Sequence, residues 1–400
     1  MSFPLHAENK SSRRKIAGLA VESPIAFYQQ ILPWKGRRVR EKNSLKGCAK
    51  IAWGSAPGKR LSTPPFRPEG AREIVGCGHV HARSRDYPSY LALARNDELA
   101  RRANEARRRV SHCDLCPRAC GVNRAAGERG FCGAPLEAIV ASHNRHDGEE
   151  PPISGTRGSG TIFLGHCTMR CVFCQNFPIS QRGVGRQVGA AGLAGMMLEL
   201  QRRECHNVNF VTPTHYVHEI LAALVLAVEQ DFALPLVWNT SGYESLETLR
   251  LLDGVVDIYL PDIKYADDRM AEKYSQGRNF VAANRAALGE MWRQVGPLEM
   301  SPSASDPSDL SDSSGPAIAR RGMIVRHLVL PGGIAGTADC LQFLAREISP
   351  HVHLSLMSQY FPANRVEEFP ELNRRVTQEE YAPLADLAEQ LGFDGWLQPL

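Results

Sequence analysis

Between residues 160 and 391, short and nearly unbroken apolar runs alternate with longer segments of helical period. This alternation constrains the fold more than any other feature of the 400-residue chain. Candidate strands are 160–165, 207–212, 234–240, 255–260, 323–330 and 352–358, and candidate helices are 189–204, 216–230, 244–252, 267–294, 337–348 and 377–391. Runs such as Val208 to Val211 and Leu234 to Trp238 lack the polar alternation of a half-exposed strand. They suit a parallel sheet covered by helices. Six βα units in sequence give an α/β domain, either an open doubly wound sheet or a partial barrel. No Gly-x-Gly-x-x-Gly follows any strand, so a dinucleotide-binding reading has little support.

The first strand leads straight into chemistry. Thr161-Ile162-Phe163-Leu164 is followed by Gly165-His166-Cys167-Thr168-Met169-Arg170-Cys171-Val172-Phe173-Cys174. The spacing is C-x3-C-x2-C. Three thiolates can bind three irons of a [4Fe–4S] cube and leave the fourth iron without a protein ligand. An open iron can take a substrate, as the free position of a catalytic zinc does. The loop at a strand's C-terminal end is where α/β barrels build their sites. The competing readings are three buried structural cysteines, or a zinc site completed by His166. The second suffers because adjacent residues at a strand end point apart. Phe173 offers a flat face for an adenine, or packs into the core.

A second group, Cys113-x2-Cys116-x3-Cys120-x11-Cys132, has the donors for a tetrahedral zinc site or for a second, fully ligated iron–sulfur cluster. Four free thiols are the third possibility. Arg118, Arg124 and Arg129 stand near enough in sequence to offset the charge of a four-thiolate site. Seven of the 11 cysteines fall between 113 and 174. An odd total in tight clusters points to metal binding in a reducing compartment, hence the cytoplasm, and not to a disulfide framework. Isolated Cys205 and Cys340 lie in helical patterns and read as buried apolar residues.

Charge is unevenly placed. Residues 1–110 carry 23 Lys and Arg against 9 Asp and Glu, whereas residues 111–400 carry 24 against 34. Residues 1–86 read as a basic, largely irregular extension. A nucleic-acid arm is one alternative, and a mitochondrial presequence around Arg13, Arg14 and Lys15 is another, opposed by Glu8. Residues 87–150 form a helix plus the four-cysteine knuckle, and 151–400 the α/β domain. Within it, 297–320 is too rich in Ser, Pro and Asp to pack and reads as a disordered insertion. No apolar run is long enough to span a membrane.

The triad with its Phe173 resembles the signature of the radical S-adenosylmethionine (SAM) superfamily. The wider chain resembles one branch, the PflX-type homologues of pyruvate formate-lyase activating enzyme. The matching stretches are 113–124, 127–134, Glu149-Glu150-Pro151-Pro152-Ile153-Ser154-Gly155, 209–216, Asn239-Thr240-Ser241-Gly242-Tyr243, Asp262-Ile263-Lys264-Tyr265 and 326–332. The resemblance covers about Tyr87 to Trp396, apart from the insertion. It implies a partial (β/α)6 TIM-like barrel with a [4Fe–4S] cluster near one rim. It also implies SAM on the open iron and a low-potential electron donor of ferredoxin or flavodoxin type. One electron then cleaves SAM to methionine and a 5′-deoxyadenosyl radical. That radical takes hydrogen from a glycine of a partner protein or from a small substrate.

Other strand ends fit such a site. Period-2 geometry puts Asp262 and Lys264 on one face, where they resemble the Asp-x-Lys pair of activating enzymes. An ordinary surface ion pair is the alternative. Arg326, on a predicted buried strand, needs an acid: the SAM carboxylate, which a guanidinium binds bidentately, or a nearby side chain. Thr240 and Ser241 offer hydroxyls to a ribose, or Ser241 caps the next helix. Where many superfamily members carry Gly-Gly-Glu, this chain reads Thr212-Pro213-Thr214-His215, so the contact to the SAM amino group has only Thr212, Thr214 and His215 as candidates. Two further functions are compatible with the sequence: radical-based modification of RNA, suggested by the basic extension, and a non-enzymatic metal-binding adaptor built on the knuckle.

Overall fold

The computed structural model describes residues 37–38, 87–301 and 317–400. The strands are β1 (Arg37–Arg38), β2 (Ala138–His146), β3 (Ser159–Leu164), β4 (Arg186–Val188), β5 (Val208–Val211), β6 (Leu236–Thr240), β7 (Ile258–Pro261), β8 (Glu299–Ser301), β9 (Ile318–Leu328), β10 (His353–Met357) and β11 (Asp394–Leu397). Their order across the sheet is β1-β11-β10-β9-β7-β6-β5-β3-β2-β4, with β8 paired to β9. From β3 to β11 the seven strands of this path are parallel neighbours in chain order.

A doubly wound sheet reverses its strand order at a switch point. No reversal occurs here, and the side chains show the consequence. Ile162, Val208, Phe210, Trp238, Tyr259, Val325 and Leu356 belong to one large core, which also takes in the helices. The alternate positions Val237, Ile258, Leu260, Ile324 and Trp396 form a separate small core with Ile153. Helices therefore cover one face, and the other encloses a narrow interior that the turn Pro151–Ser154 helps to fill. This is the partial TIM-like barrel that the sequence suggested.

Several expectations need correction. A seventh parallel strand, β11, follows the six expected. Its four residues, Asp394-Gly395-Trp396-Leu397, contain no apolar run to announce it. Gly395 is required there: at φ 132° a Cβ would stand 2.0 Å from the Leu354 carbonyl oxygen of β10. Antiparallel β2 is additional to the helix and knuckle expected over 87–150; its second half, Ser142-His143-Asn144-Arg145-His146, is polar throughout and gives no strand signal. The single helix expected over 267–294 is two, Asp268–Ser275 and Phe280–Val295. Between them Gln276 and Asn279 both take left-handed backbone angles. The margins of the expected insertion also fold: Glu299–Ser301 pairs antiparallel with the start of β9. Residues 302–316, and the extension 1–86 apart from β1, lie outside the described residues. No helix among the described residues is long and apolar enough to cross a membrane.

Candidate functional site

The triad loop leaves β3 at Leu164 and is fixed by backbone hydrogen bonds on three sides. His166 N–H donates to the Ile179 carbonyl at 3.0 Å, in the turn Phe177–Ser180. Arg170 and Val172 N–H donate to the Ser275 and Tyr274 carbonyls at 3.0 and 2.8 Å, at the end of helix Asp268–Ser275. The Cys171 carbonyl accepts from Gln181 at 2.8 Å and from Asn364 at 3.1 Å. A loop held this way has the backbone around its three cysteines fixed by partners on neighbouring segments.

The sulfurs sit in a common electrostatic environment. Burial pushes the Cys167 thiol up to about 12 and the Cys174 thiol up to about 11, with the nearby Cys171 sulfur as the next cause in each. Local dipoles work the other way: Met169 N–H donates to Cys167 Sγ at 3.4 Å, and the Ser180 hydroxyl lies 3.1 Å from Cys174 Sγ. Burial thus disfavours the Cys167 and Cys174 thiolates unless positive charge, such as a metal centre supplies, stands beside them. His166 takes no part. At φ 69° it turns its ring against Gly183, where a Cβ would meet it at 2.6 Å.

Asp262 and Lys264 meet as expected. Lys264 Nζ lies 2.5 Å from Asp262 Oδ2, and both side chains are about one-fifth exposed. Burial works against the Lys264 charge, but Asp262 and then the sulfurs of Cys171 and Cys167 outweigh it and raise its pKa. Lys264 thus bears on the triad sulfurs, and the pair is not a surface ion pair.

Arg326 goes elsewhere. It lies level with Asp262, through a parallel bridge between the two. Its guanidinium is bound by two buried acids. It donates to Glu150 at 2.7 and 2.6 Å and also to Glu149, with a longer contact of 3.4 Å to Asn239. In this structure the guanidinium is taken by nearby acids, the second of the two kinds of partner expected for it. Thr240 is likewise engaged within the protein. It continues the helix-covered side of β6 with Leu236 and Trp238, and its hydroxyl bonds buried Glu244. Ser241 caps nothing, because Ser245 is the cap of helix Leu246–Leu252. Phe173 is buried, edge-on to Tyr360 at 5.9 Å, so its ring packs in the core and presents no open face. Thr214 donates to Glu244 at 2.6 Å and His215 bonds the Gly165 carbonyl at 2.8 Å. Of the three candidates for the SAM amino group, Thr212 alone stays partly exposed, with φ 58° at the end of β5.

The four upstream cysteines gather on one turn-rich knuckle. Gly121 N–H returns to the Cys113 carbonyl at 3.0 Å, and Ala119 N–H to that of Cys116 at 3.0 Å. Burial pushes the Cys116 thiol up, with the sulfurs of Cys132, Cys113 and Cys120 as further causes, so all four are near one another. Even so, no three His, Cys, Asp or Glu side chains among the described residues converge closely enough to hold a single ion. Arg124 is buried and bears electrostatically on Cys113. Arg118 stacks on Phe131 with its guanidinium carbon 3.3 Å from the ring centroid, and donates to the Thr168 carbonyl of the triad loop at 2.6 Å. The knuckle is thereby tied to the triad. Cys205 and Cys340 are buried as expected.

Sequence reasoning missed Ser180, Glu244 and the Glu149–Glu150 clamp. The last had a signal: two adjacent acids before Pro151-Pro152, in a chain whose predicted strand carried an unpaired Arg326.

No family model matches the chain. Over 292 residues it is 30% identical to "Uncharacterized protein MJ0674" of Methanocaldococcus jannaschii, covering 71% of this chain and 76% of that protein. Among solved structures it is similar to methylornithine synthase (PylB), at 13% identity and TM-score 0.35, over 75% of this chain and 77% of that one. It is also similar to the radical S-adenosylmethionine methyltransferase TsrM of Kitasatospora setae, at 14% identity and TM-score 0.34, over 57% of this chain and 39% of that one. Scores at this level leave the assignment to the chain's own geometry.

Proposed function

The chain belongs to the same family as the Methanocaldococcus jannaschii protein MJ0674, and from the geometry of its triad loop we propose that it is a radical SAM iron–sulfur enzyme. The observation that carries this reading is a three-cysteine loop at the C-terminal end of the first parallel strand, pinned on three sides and faced by a charged lysine. Cys167, Cys171 and Cys174 would hold the [4Fe–4S] cluster. The donor set fits: three soft sulfurs, none paired in a disulfide, on one loop. When bound, such a cluster would supply the one-electron reduction on which SAM cleavage depends.

The chain's own residues orient and insulate. Lys264 places a fixed positive charge beside the sulfurs, and Asp262 holds that ammonium in position. Ser180 and the Met169 N–H put dipoles on two of the sulfurs, as hydrogen bonds do at iron–sulfur centres to set their potential. The buried surroundings of Phe173, Tyr265 and Tyr360 limit water around the loop. The hydrogen donor we assign is a glycine of a partner protein or a small substrate, in the manner of activating enzymes. Electrons come from a ferredoxin- or flavodoxin-type partner, and the knuckle cysteines, which do not converge on one ion as they stand, would close on a zinc ion or a second cluster when it binds. The test is anaerobic reconstitution, dithionite reduction and assay for 5′-deoxyadenosine. Product that depends on SAM and reductant supports the reading; a loaded protein that makes none removes it. Deuterium transferred from Cα-labelled glycine in candidate partners into 5′-deoxyadenosine tests the finer assignment.

A further inference from the structure

One face beside the triad loop differs in charge from the rest of the domain. Residues 111–400 carry more acids than bases, 34 against 24. The 25 residues from Gly165 to Gly189 nevertheless hold three arginines, Arg170, Arg182 and Arg186, and no acid. This stretch runs from the triad loop to the end of β4, and its backbone folds back on the loop. The Ile179 carbonyl accepts from His166 N–H at 3.0 Å and from Gly183 N–H at 3.1 Å, and Val184 N–H donates to the Pro178 carbonyl at 3.1 Å. The His166 ring, one residue before Cys167, lies 3.3 and 2.6 Å from where Cβ atoms of Gly133 and Gly183 would stand. Arg129 donates to the Gly133 carbonyl at 2.7 Å, and its charge bears on His166.

Arg129, Arg182 and Arg186 are all exposed, and Arg182 lies over the Phe177 ring at 4.8 Å. None of the three forms a salt bridge among the described residues, whereas Arg145 on β2 is paired with Asp147 and Arg203 with Glu199. Exposed arginines need no acid in order to fold, but uncompensated they set a positive local potential. Val184 stands between Arg182 and Arg186. At 44% exposure it is one of three exposed large apolar side chains among the described residues. Gly183 and Gly185 flank it with positive φ, and a Cβ at Gly185 would stand 2.7 Å from the Val140 carbonyl oxygen of β2. The turn is therefore held tightly against the sheet while Val184 faces outward. β4 pairs with β2 on one side and ends the sheet.

An apolar centre with charge around it has the anatomy of a protein contact. Exposed Glu128 and Glu137 bound the arginines, which suits a local protein contact better than a continuous row of phosphates. The extension 1–86 is itself basic and does not complement this face. We propose that Arg129, Arg182 and Arg186, around Val184, dock a small acidic redox protein that delivers electrons to the triad. The proposal rests on the radical SAM reading above, which requires such a delivery. A carrier docked there is oxidised by one electron as the centre held by the triad is reduced by one, and no atom is transferred. Opposite charge steers the encounter, and the contact at Val184 adds a small apolar patch to it.

The experiment measures binding of a small acidic plant-type [2Fe–2S] ferredoxin to the reconstituted full chain, by biolayer interferometry at about 0.05 and about 0.3 M salt. Arg182→Glu with Arg186→Glu is compared with Arg157→Glu with Arg202→Glu at matched iron content. The second pair makes the same change in net charge on exposed residues before β3 and at the end of helix Ala190–Arg202, away from the triad. Saturable binding that the first pair weakens about tenfold, that the second pair leaves within about twofold of wild type, and that weakens at the higher salt supports the docking face. No saturable binding up to about 100 μM, equal effects of the two pairs, or tighter binding of a short mixed-sequence RNA than of the ferredoxin overturns it. The two readings fail separately. Wild-type protein that makes no 5′-deoxyadenosine with dithionite removes the enzyme reading, whereas wild-type protein that does so while its ferredoxin binding ignores the first pair removes the docking face alone.

Discussion

Replacing Arg326 with Met separates a structural arginine from a cofactor-binding one. In the fold, Glu150 is fully buried and both its oxygens accept from Arg326, while Glu149 accepts a further bond and is 7% exposed. Removing one partner of a buried ion pair typically costs about 3–5 kcal/mol, because the other charge is left without compensation. A folded protein is stable by only about 5–15 kcal/mol, so the loss is large. The pH dependence gives the cause. Burial alone would raise the Glu150 pKa, but Arg326 outweighs it and holds the group below its ordinary 4.5. In the wild type this stabilisation is present above pH 4.5 and is lost as pH falls through the depressed value. Without Arg326 burial wins and the sign reverses, so the variant weakens as pH rises. Urea unfolding followed by circular dichroism at pH 5 and pH 8 reads both effects. The expected result is a destabilised Arg326→Met protein whose deficit is larger at pH 8, partly recovered when Glu150→Gln is added. A variant within about 0.5 kcal/mol of wild type at both pH values, with only SAM binding impaired, would refute the clamp.

Three more expectations follow from the site. Glu244 is raised from 4.5 to about 7 by burial, so the stability its neutral form lends is complete below pH 4.5 and lost as pH rises through 7, about 3 kcal/mol in all. Glu244→Gln should therefore flatten the pH–stability curve between 4.5 and 8, and an unchanged slope in urea titrations would contradict this. Lys264→Met should lower 5′-deoxyadenosine formation by about tenfold or more while leaving iron content unchanged, as expected for a charge that acts on the bound ligand. Gly242→Ala should perturb Asp262, because at φ 72° a Cβ would stand 2.3 Å from its carbonyl oxygen. Its readout is reduced 5′-deoxyadenosine formation together with a lower unfolding midpoint.

The parts of the fold that rest on strong local pattern were legible in the sequence. Val208–Val211 and residues 236–238 are apolar apart from Asn209 and buried on both sides of the sheet, so their strand character needs little tertiary information. The triad's place was legible because the short apolar run before it ends as a strand at Leu164. What escaped depends on partners distant in sequence. Arg326 finds its acids 176 and 177 residues away. The face that Thr240 presents follows from which side of β6 the helices cover, and period-2 reasoning does not decide that without knowing the winding. The break at 276–279 was hidden because Gln276 and Asn279 adopt left-handed angles amid residues of good helical pattern. β11 forms because β10 offers an edge to four residues that carry little signal of their own.

The central claim, that Cys167, Cys171 and Cys174 hold a cluster with an open iron, is tested most directly by EPR. The dithionite-reduced protein would be measured with and without SAM, beside a variant with all three cysteines changed to alanine, with iron and sulfide determined on each. The account predicts a reduced-cluster signal in the wild type that changes when SAM is added, and loss of that SAM-sensitive signal with its iron and sulfide in the variant. A signal indifferent to SAM, or one that survives the triple substitution unchanged, would contradict it.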